Sequence, residues 1–445
     1  MANTRTVGAA GKDHTTISSA VSWFQSNHNF DTDGIGTISI EDNAEYNENV
    51  SITGLSGTIS STAYLKITVA EANRHSGVAG TGHARVRGSS SGSHVFTVSE
   101  DFTVIEYLEI QQDSTGESDE GIRITSNIDN VLISRCIIWT DQSISDSDGV
   151  YLGNWPATYS IDNCIIYGFN RGGIHCQNYN GSNAQTANID YCTVYDCGNG
   201  GGDEGGIIAY ASGSGSGVTI NTYNTASLES GPSGRDFFDR QVSGTTTWTG
   251  THNSCSDASL SSAAVNLTTG AQESLTISDT TQSTGSYFVV NSLTAGSEDF
   301  LLLDDAAGNK AYGNATNRVG SEPDSRQDFS LDIAGNTRST TGPSPDIGAS
   351  EYWTVGGTAA ITGTATASIT KADIVAGGKT IIITLTGDTW VAAGATFDAQ
   401  RQSIIDNIVS AQSETNGWNA VRSNIAVAAV VRTSDTVVTI TLPVL

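Results

Sequence analysis

Thr103-Val-Ile-Glu-Tyr-Leu108, Val131-Leu-Ile-Ser-Arg-Cys136, Tyr159-Ser-Ile-Asp-Asn-Cys164 and Asn188-Ile-Asp-Tyr-Cys192 repeat one pattern along the chain. Leu108, Cys136, Cys164 and Cys192 stand 28 residues apart at each step, and Ile105, Ile133, Ile161 and Ile189 keep that interval three residues earlier. A second set lies inside the period: Gly121-Ile-Arg-Ile124, Gly149-Val-Tyr-Leu152, Gly173-Ile-His-Cys176 and Gly206-Ile-Ile-Ala209. Each begins on glycine and then alternates inward and outward residues, the period-two mark of a half-buried strand. A recurrence every 20 to 50 residues or so, with several strands per unit, signals a stacked array. So short a unit cannot bury its own apolar face and must lie on its neighbours. The expected fold is all-β, a right-handed parallel β-helix with the isoleucine and Leu/Cys columns as its buried ladder. The glycines are expected at corners, where the backbone takes an unusual φ or approaches another chain segment closely.

Composition agrees with many short strands and polar turns. Of 445 residues 37% are hydrophobic, 49 are Gly and one is Met, which leaves little material for long helices. A formal charge of −27 argues against nucleic acid or an anionic membrane as partner. The same acidity keeps extracellular and virion proteins in solution. No run of about 18 apolar residues offers a membrane span. The opening Met1-Ala-Asn-Thr-Arg-Thr-Val-Gly8 carries no apolar segment of a signal peptide. Either processing removed one, or the protein leaves the cell another way, such as by lysis within a phage particle. The expected location is a virion surface or the extracellular space.

Six cysteines raise the question of disulfides. Cys136, Cys164 and Cys192 fall at equivalent inward positions, about 4.8 Å apart by strand spacing, and are expected as small buried hydrophobes rather than a disulfide framework. Cys176 also points inward, while Cys197 and Cys255 carry no assignment. No Cys-x-x-Cys or Cys/His metal spacing is present.

Residues 1–60 read as a cap with the first strands. Within Thr15–Phe24, Ile17, Ala20, Val21 and Phe24 share one helical face, suited to covering the open end of a solenoid. Gly11-Lys-Asp-His-Thr-Thr-Ile-Ser-Ser-Ala20, Thr37-Ile-Ser-Ile40, Tyr46-Asn-Glu48 and Val50 resemble the opening of pectin-lyase-like right-handed β-helix proteins, pectin methylesterases among them. The paired Asp residues and Gln-Asp pair of the esterases have no counterpart here, so the resemblance implies the fold and not esterase activity. Residues 61–353 complete the β-helix. Its end, with Asp299-Phe-Leu-Leu-Leu303, Asp332-Ile-Ala-Gly335, Arg338 and Asp346-Ile-Gly-Ala-Ser-Glu-Tyr352, resembles the closing segment of secreted and phage β-helix proteins. Asp332, Arg338, Asp346 and Glu351 are expected to form a structural clasp, with the Arg tied between carboxylates. Residues 354–358 read as a linker. Residues 359–445, with β-branched strands around a helix at Asp398–Gln412, are similar to Ig-like modules of phage and bacterial surface proteins.

Chemistry, if the chain performs any, is expected on the outer face of the regular turns, where loops of varying length leave a repeating scaffold. Arg123, Tyr151, His175 and Ile208 occupy the outward positions of the second strands. Acidic pairs precede these strands: Asp119 with Glu120, Asp146 with Asp148, and Asp203 with Glu204. As an enzyme the chain would draw on Asp146, Asp148, His175, Arg123, Asp203 and Glu204, as a polysaccharide lyase with a base beside a uronate or as a glycoside hydrolase with two carboxylates. Asp146, Asp148, Asp203 and Glu204 are also the candidate Ca²⁺ ligands; no other cofactor is expected. Tyr151, Trp139 and Trp155 are candidates for stacking on sugars. Against this, Asp before Gly is ordinary turn chemistry, and the full polygalacturonase pattern is missing, with Ser145-Asp-Ser-Asp148-Gly-Val the nearest approach to its first motif. The expected function is a non-enzymatic phage virion protein, a capsid decoration, fibre or tail component. Its partners would be other virion proteins, with host surface glycans as a further candidate; an exposed flank of the β-helix could support a trimer, no coiled-coil heptads are present, and the oligomeric state stays open. The competing reading is a depolymerase of acidic polysaccharide.

Overall fold

The computed structural model describes residues 3–80, 82–88, 93–114, 116, 118–125, 127–142, 145–153, 156–179, 184–198, 204–228, 230, 235–255, 275–276, 288–290, 299–302, 317–334, 338, 348–349, 380–384, 401, 425–434 and 437–441. The chain divides into two compact units, Met1–Tyr352 and Trp353–Leu445.

The first unit is a right-handed parallel β-helix built on three sheets. Sheet I holds nine strands, among them Val104–Glu106, Val131–Ser134, Thr158–Asp162, Ala184–Asp190 and Gly217–Tyr223. Sheet II holds seven, including Ile122–Ile124, Asp148–Leu152, Gly172–Asn178 and Gly205–Ala211. Sheet III holds nine, including Glu109–Gln112, Ile137–Trp139, Ile165–Tyr167 and Thr193–Tyr195. Every ladder within these sheets joins one turn to the next in parallel; Ile105, Ile133, Ile161 and Ile189 are successive register partners. All four are fully buried, and each contributes about 1.5–3 kcal/mol relative to exposure.

The sequence suggested two strands per period, the first running through Leu108 or its cysteine equivalents. The structure has three strands, because a corner cuts the first. Tyr107, Arg135, Asn163 and Tyr191 take φ of 61°, 51°, 52° and 52°, turning the chain from sheet I to sheet III in a single residue. A left-handed non-glycine residue costs about 1–2 kcal/mol. The corner N–H groups of Tyr107, Arg135 and Asn163 offset this by donating to the carbonyls of Ser134, Asp162 and Asp190 in the following turn, at 3.2, 3.0 and 3.0 Å. The glycines ahead of the sheet II strands are therefore not the corners of unusual φ. They serve close approach: a Cβ on Gly121 would lie 2.6 Å from Ile138 Cγ2 and 2.7 Å from the Gly149 carbonyl.

Cys136, Cys164 and Cys192 line the core just past these corners as free, fully buried thiols, and Cys176 and Cys197 are free and buried with them. Cys136 Sγ donates to the Ser134 carbonyl at 3.4 Å, and Cys164 and Cys192 repeat the contact with Asp162 and Asp190 at 3.2 and 3.4 Å. In the next turn Thr225 takes the place with a hydroxyl, 3.1 Å from the Tyr223 carbonyl. Cys255 is buried in the same core.

The cap forms as the apolar spacing dictates. A helix spans Ile17–Asn27 and buries Ile17, Ala20, Val21 and Phe24. Thr16 caps it by accepting from Ser19 N at 3.1 Å. The Glu48 carboxylate accepts from Ile17 N and Ser18 N at 2.8 and 2.9 Å, placing negative charge against the positive end of the helix dipole.

Sheet III is apolar on its outer face as well. Ile137, Trp139, Ile165, Tyr167, Tyr195, Ala226 and Leu228 pack outside the barrel under Ala79, Phe329, Ile333 and Ala349. The closing segment thus folds back along the shaft. Arg338, 1% exposed, donates to Asn163 Oδ1 at 2.8 Å and to the carbonyls of Gly348 and Ala349 at 3.2 and 3.0 Å. Asp332 Oδ1 accepts from Ala334 N at 3.0 Å. Asp346 and Glu351, the other expected clasp residues, lie outside the described residues.

In the second unit the described strands Thr380–Thr384, Val430–Arg432 and Val437–Thr441 form an antiparallel sheet with Val437–Thr441 in the middle. The helix expected at Asp398–Gln412 lies almost wholly outside the described residues.

Candidate functional site

Sheet II carries its polar chemistry on its outer face. Arg123, Tyr151, His175 and Ile208 are register partners across four successive strands, in the order the alternation gave. Most of this column is buried. Arg123 is half-buried, while Tyr151, His175 and Ile208 are 7%, 4% and 1% exposed.

Two buried carboxylates sit beside the column, at the strand entrances just before Gly121 and Gly149. Asp148 is wholly buried. Arg171 Nε lies 3.1 and 3.0 Å from its two oxygens, with Nη2 also on Oδ2, and His175 Nδ1 is 3.1 Å away. Burial works to raise the Asp148 pKa, but the charges of His175 and Arg171 and their hydrogen bonds outweigh it and hold the carboxyl below its usual range. The Glu120 carboxylate, 1% exposed, contacts His94 Nδ1, and Arg123 Nη1 and Arg171 Nη2 lie 3.5 and 3.8 Å from it. Arg171 therefore bridges the carboxylates of two turns.

Above this network Tyr151 donates its hydroxyl to Gln177 Oε1 at 2.5 Å and meets the His175 ring edge-on, centroids 5.5 Å apart. The Arg123 guanidinium stands 5.1 Å from the Tyr151 ring centre. Burial pushes the Tyr151 phenol up to about 12. Farther along the shaft Tyr179, 44% exposed, stands edge-on to Tyr210 at 5.2 Å, and the Arg240 guanidinium lies 4.4 Å over Tyr210.

Among the described residues, Asp146 and Asp148 part company. Asp146 is exposed, at a corner of φ 58°, while Asp148 two residues on is buried. Asp119 Oδ2 accepts from Ser114 Oγ within its own loop. Glu204 is half-buried, and its carbonyl accepts from Arg235 N at 3.3 Å. Asp203 and Trp155 lie outside the described residues. Among the described residues no group of three or more His, Cys, Asp or Glu is placed to hold a metal ion. Trp139 stands apart from Tyr151. It lies on the outer face of sheet III, 2% exposed, parallel to Tyr167 with centroids 5.9 Å apart, and its indole N–H donates to Glu109 Oε1 at 2.7 Å.

Sequence reasoning missed Arg171, His94 and Gln177. A signal for Arg171 was present. Gly172 is the register partner of Asp148, and Arg171 stands one residue ahead of it, so a cation adjoins the column that carries Glu120 and Asp148.

No protein-family model matches the sequence, and no curated protein matches it. Among solved structures the chain is similar to the deglycosylated pectin methylesterase from Aspergillus niger, at 14% identity over 58% of this chain and 88% of that one, with a TM-score of 0.35. It is similar to the pectate lyase Pel9A at 12% identity over 74% and 90%, TM-score 0.34. It is also similar to pectin methylesterase from carrot at 11% over 56% and 82%, TM-score 0.33. The parallel β-helix is read from this chain's own three sheets, and the chemistry in those names belongs to those proteins. No helix among the described residues is long and apolar enough to cross a membrane.

Proposed function

We propose that this chain is a non-enzymatic structural protein that presents a rigid β-helical shaft at the surface of a particle. A phage capsid decoration, fibre or tail component fits that description, with other virion proteins as partners. The observation that carries the reading is the state of Asp148. A wholly buried carboxylate gripped by Arg171 and His175 is a strut between turns, neither a proton donor nor an open ligand. Glu120 lies in the same network, against His94 and with Arg123 and Arg171 at 3.5 and 3.8 Å. Surface glycans are the soluble partners to try first, with the exposed Tyr179 beside Tyr210 and Arg240 as the contact. The test is a density gradient of the source lysate, read by peptide mass spectrometry. Banding with capsids at a fixed ratio to the major coat protein supports the proposal, and a protein that stays free at the top of the gradient ends it.

One observation favours a second reading. The Asp148 carboxylate holds His175 by Nδ1, as a carboxylate orients a general base, and Tyr151 and Arg123 stand beside it. A depolymerase of acidic polysaccharide, lyase or hydrolase, would use that group. A glycan panel with and without Ca²⁺, run on the parent and on His175→Ala, decides. Cleavage lost in the variant establishes this reading, and no cleavage of any glycan by the parent removes it.

A further inference from the structure

The seam between the shaft and its returning segment contains a pair of acids that the candidate site does not use. Asp162 and Asp190 end successive sheet I strands as register partners. Their backbones are about 4.8 Å apart by strand spacing, and they are 0% and 1% exposed. Within the shaft Asp162 accepts from Ser134 Oγ at 2.7 Å and Asn163 Nδ2 at 2.8 Å, with the Arg135 charge nearby and Cys164 toward the core. The rest of their surroundings come from residues 317–334. Gln327 Nε2 reaches Asp162 at 3.0 Å, Arg318 Nε reaches Asp190 at 2.8 Å, and the Glu322 charge also faces Asp190. Arg135 crosses the seam to donate to the Asp328 carbonyl, while the Asp328 carboxylate is turned away to Ser330 N at 3.0 Å.

We infer that residues 317–328 are an acid-tightened clasp, seated on the shaft while the Asp162–Asp190 pair holds a proton and loosened when both are ionised. The charge count requires it. Asp162, Asp190 and Glu322 bring three negative charges, Arg135 and Arg318 bring two positive ones, and the two register-paired acids are buried from water. Two buried carboxylates side by side resist double ionisation. When the segment lifts away, both acids regain water and ionise at ordinary values. Burial accordingly raises Asp162 to about 6 and Asp190 to about 7 from 3.8. A folded-state value above the free one means that the docked form binds the proton. Its stabilisation is complete below the free value and is lost as pH rises through about 6 to 7. The remaining anchors do not run through the acid pair. Arg326 grips the carbonyls of Phe102 and Asn130, Ala349 N donates to Thr193 Oγ1 at 3.1 Å, and Phe329 packs on Tyr191 at 5.6 Å. The loosening is therefore local to the seam.

The test is amide hydrogen exchange on the full-length protein at about pH 5 and about pH 8, on either side of the two acids' window and corrected for intrinsic exchange. Protection of 317–328 should fall at least about tenfold from the lower to the higher pH, one decade for each unit of lost linkage. Protection of the sheet I strands should not change. The Asp162→Asn, Asp190→Asn double variant should be as protected at the higher pH as at the lower. Glu322→Gln, at a half-exposed position with less risk to folding, should reduce the parent's pH response. Equal protection of the parent at both pH values overturns the inference, and so does a pH response that survives undiminished in both variants.

Discussion

Arg171→Met is the sharpest test of the network on sheet II. Arg171 makes its contacts to Asp148 through Nε and Nη2 and lies 3.8 Å from Glu120. Methionine keeps the stem and removes the cation, leaving a wholly buried carboxylate with His175 as its remaining basic partner. Stranding a buried charge costs about 3–5 kcal/mol. Adding Asp148→Asn removes the stranded charge, so the double variant should recover most of the loss, with a coupling of at least about 2 kcal/mol between the sites. The sign with pH follows from the same contacts. Asp148 titrates below its ordinary 3.8, burial being outweighed by His175 and Arg171. Its stabilisation is thus present above 3.8 and lost as pH falls through the lower, folded-state value. In Arg171→Met this acid-side loss should shrink. Urea unfolding followed by near-ultraviolet circular dichroism, with hydrogen exchange across residues 147–175, reads both effects. An Arg171→Met protein within about 1 kcal/mol of the parent, or additivity with Asp148→Asn, would refute the strut.

Three further outcomes follow from the core and the covered face. Ile161→Ala opens a cavity between Ile133 and Ile189 and should cost about 2–5 kcal/mol in urea unfolding; a loss under about 1 kcal/mol would mean the column is not close-packed. Cys136, Cys164 and Cys192 should resist an aromatic disulfide reagent in the native protein and react once denatured, since all are wholly buried and burial pushes the Cys136 and Cys192 thiols up; native labelling at the rate of a free thiol would contradict the ladder. His75 is held neutral by burial, with the His83 charge adding to the effect, its pKa lowered from 6.5 to about 3. The unfolded loop therefore takes up a proton first, and the seating of residues 71–83 should weaken as pH falls below about 6.5. Proteolysis after Arg74 should rise over that range in the parent and stay flat in His75→Gln, and a flat profile in the parent would count against the buried neutral ring.

The shaft was legible where inward and outward residues differ in type. The isoleucine column and the glycine-led strands gave sheets I and II directly, because polar outward residues set off the apolar inward ones. Within the regular turns sheet III was not legible. Ile137-Ile-Trp139 and Ile165-Ile-Tyr167 are buried on both faces, so the period-two contrast vanishes. The corners were hidden for a related reason: Tyr107, Arg135, Asn163 and Tyr191 share a backbone state but no side-chain chemistry, and glycine was the residue sought. At the candidate site, the register of Arg123, Tyr151 and His175 was readable from alternation. The ties to Arg171 and His94 were not, because each enters from a loop that period-two reasoning leaves blank.

The distribution of cations explains how so acidic a chain holds one form. There are 20 Lys and Arg against 47 Asp and Glu, too few for general surface pairing, and exposed pairs would gain little. Several of the described arginines lie where turns or segments meet. Arg5 lies 3.6 Å over Trp23 of the cap, Arg74 3.7 Å over Tyr107, Arg318 3.8 Å over Tyr223 and Arg338 3.9 Å over Tyr191. Tyr107 and Tyr191 are corner residues, so Arg74 and Arg338 each cover a left-handed corner. Arg171 does the same work between the carboxylates of sheet II, and Arg135 and Arg318 at the returning segment. A solenoid's turns are held by nearest-neighbour contacts, and a uniform negative charge would push those neighbours apart. Placing scarce cations at the seams leaves the repulsion on the solvent side, where water and salt screen it, and keeps the contacts between turns close to neutral.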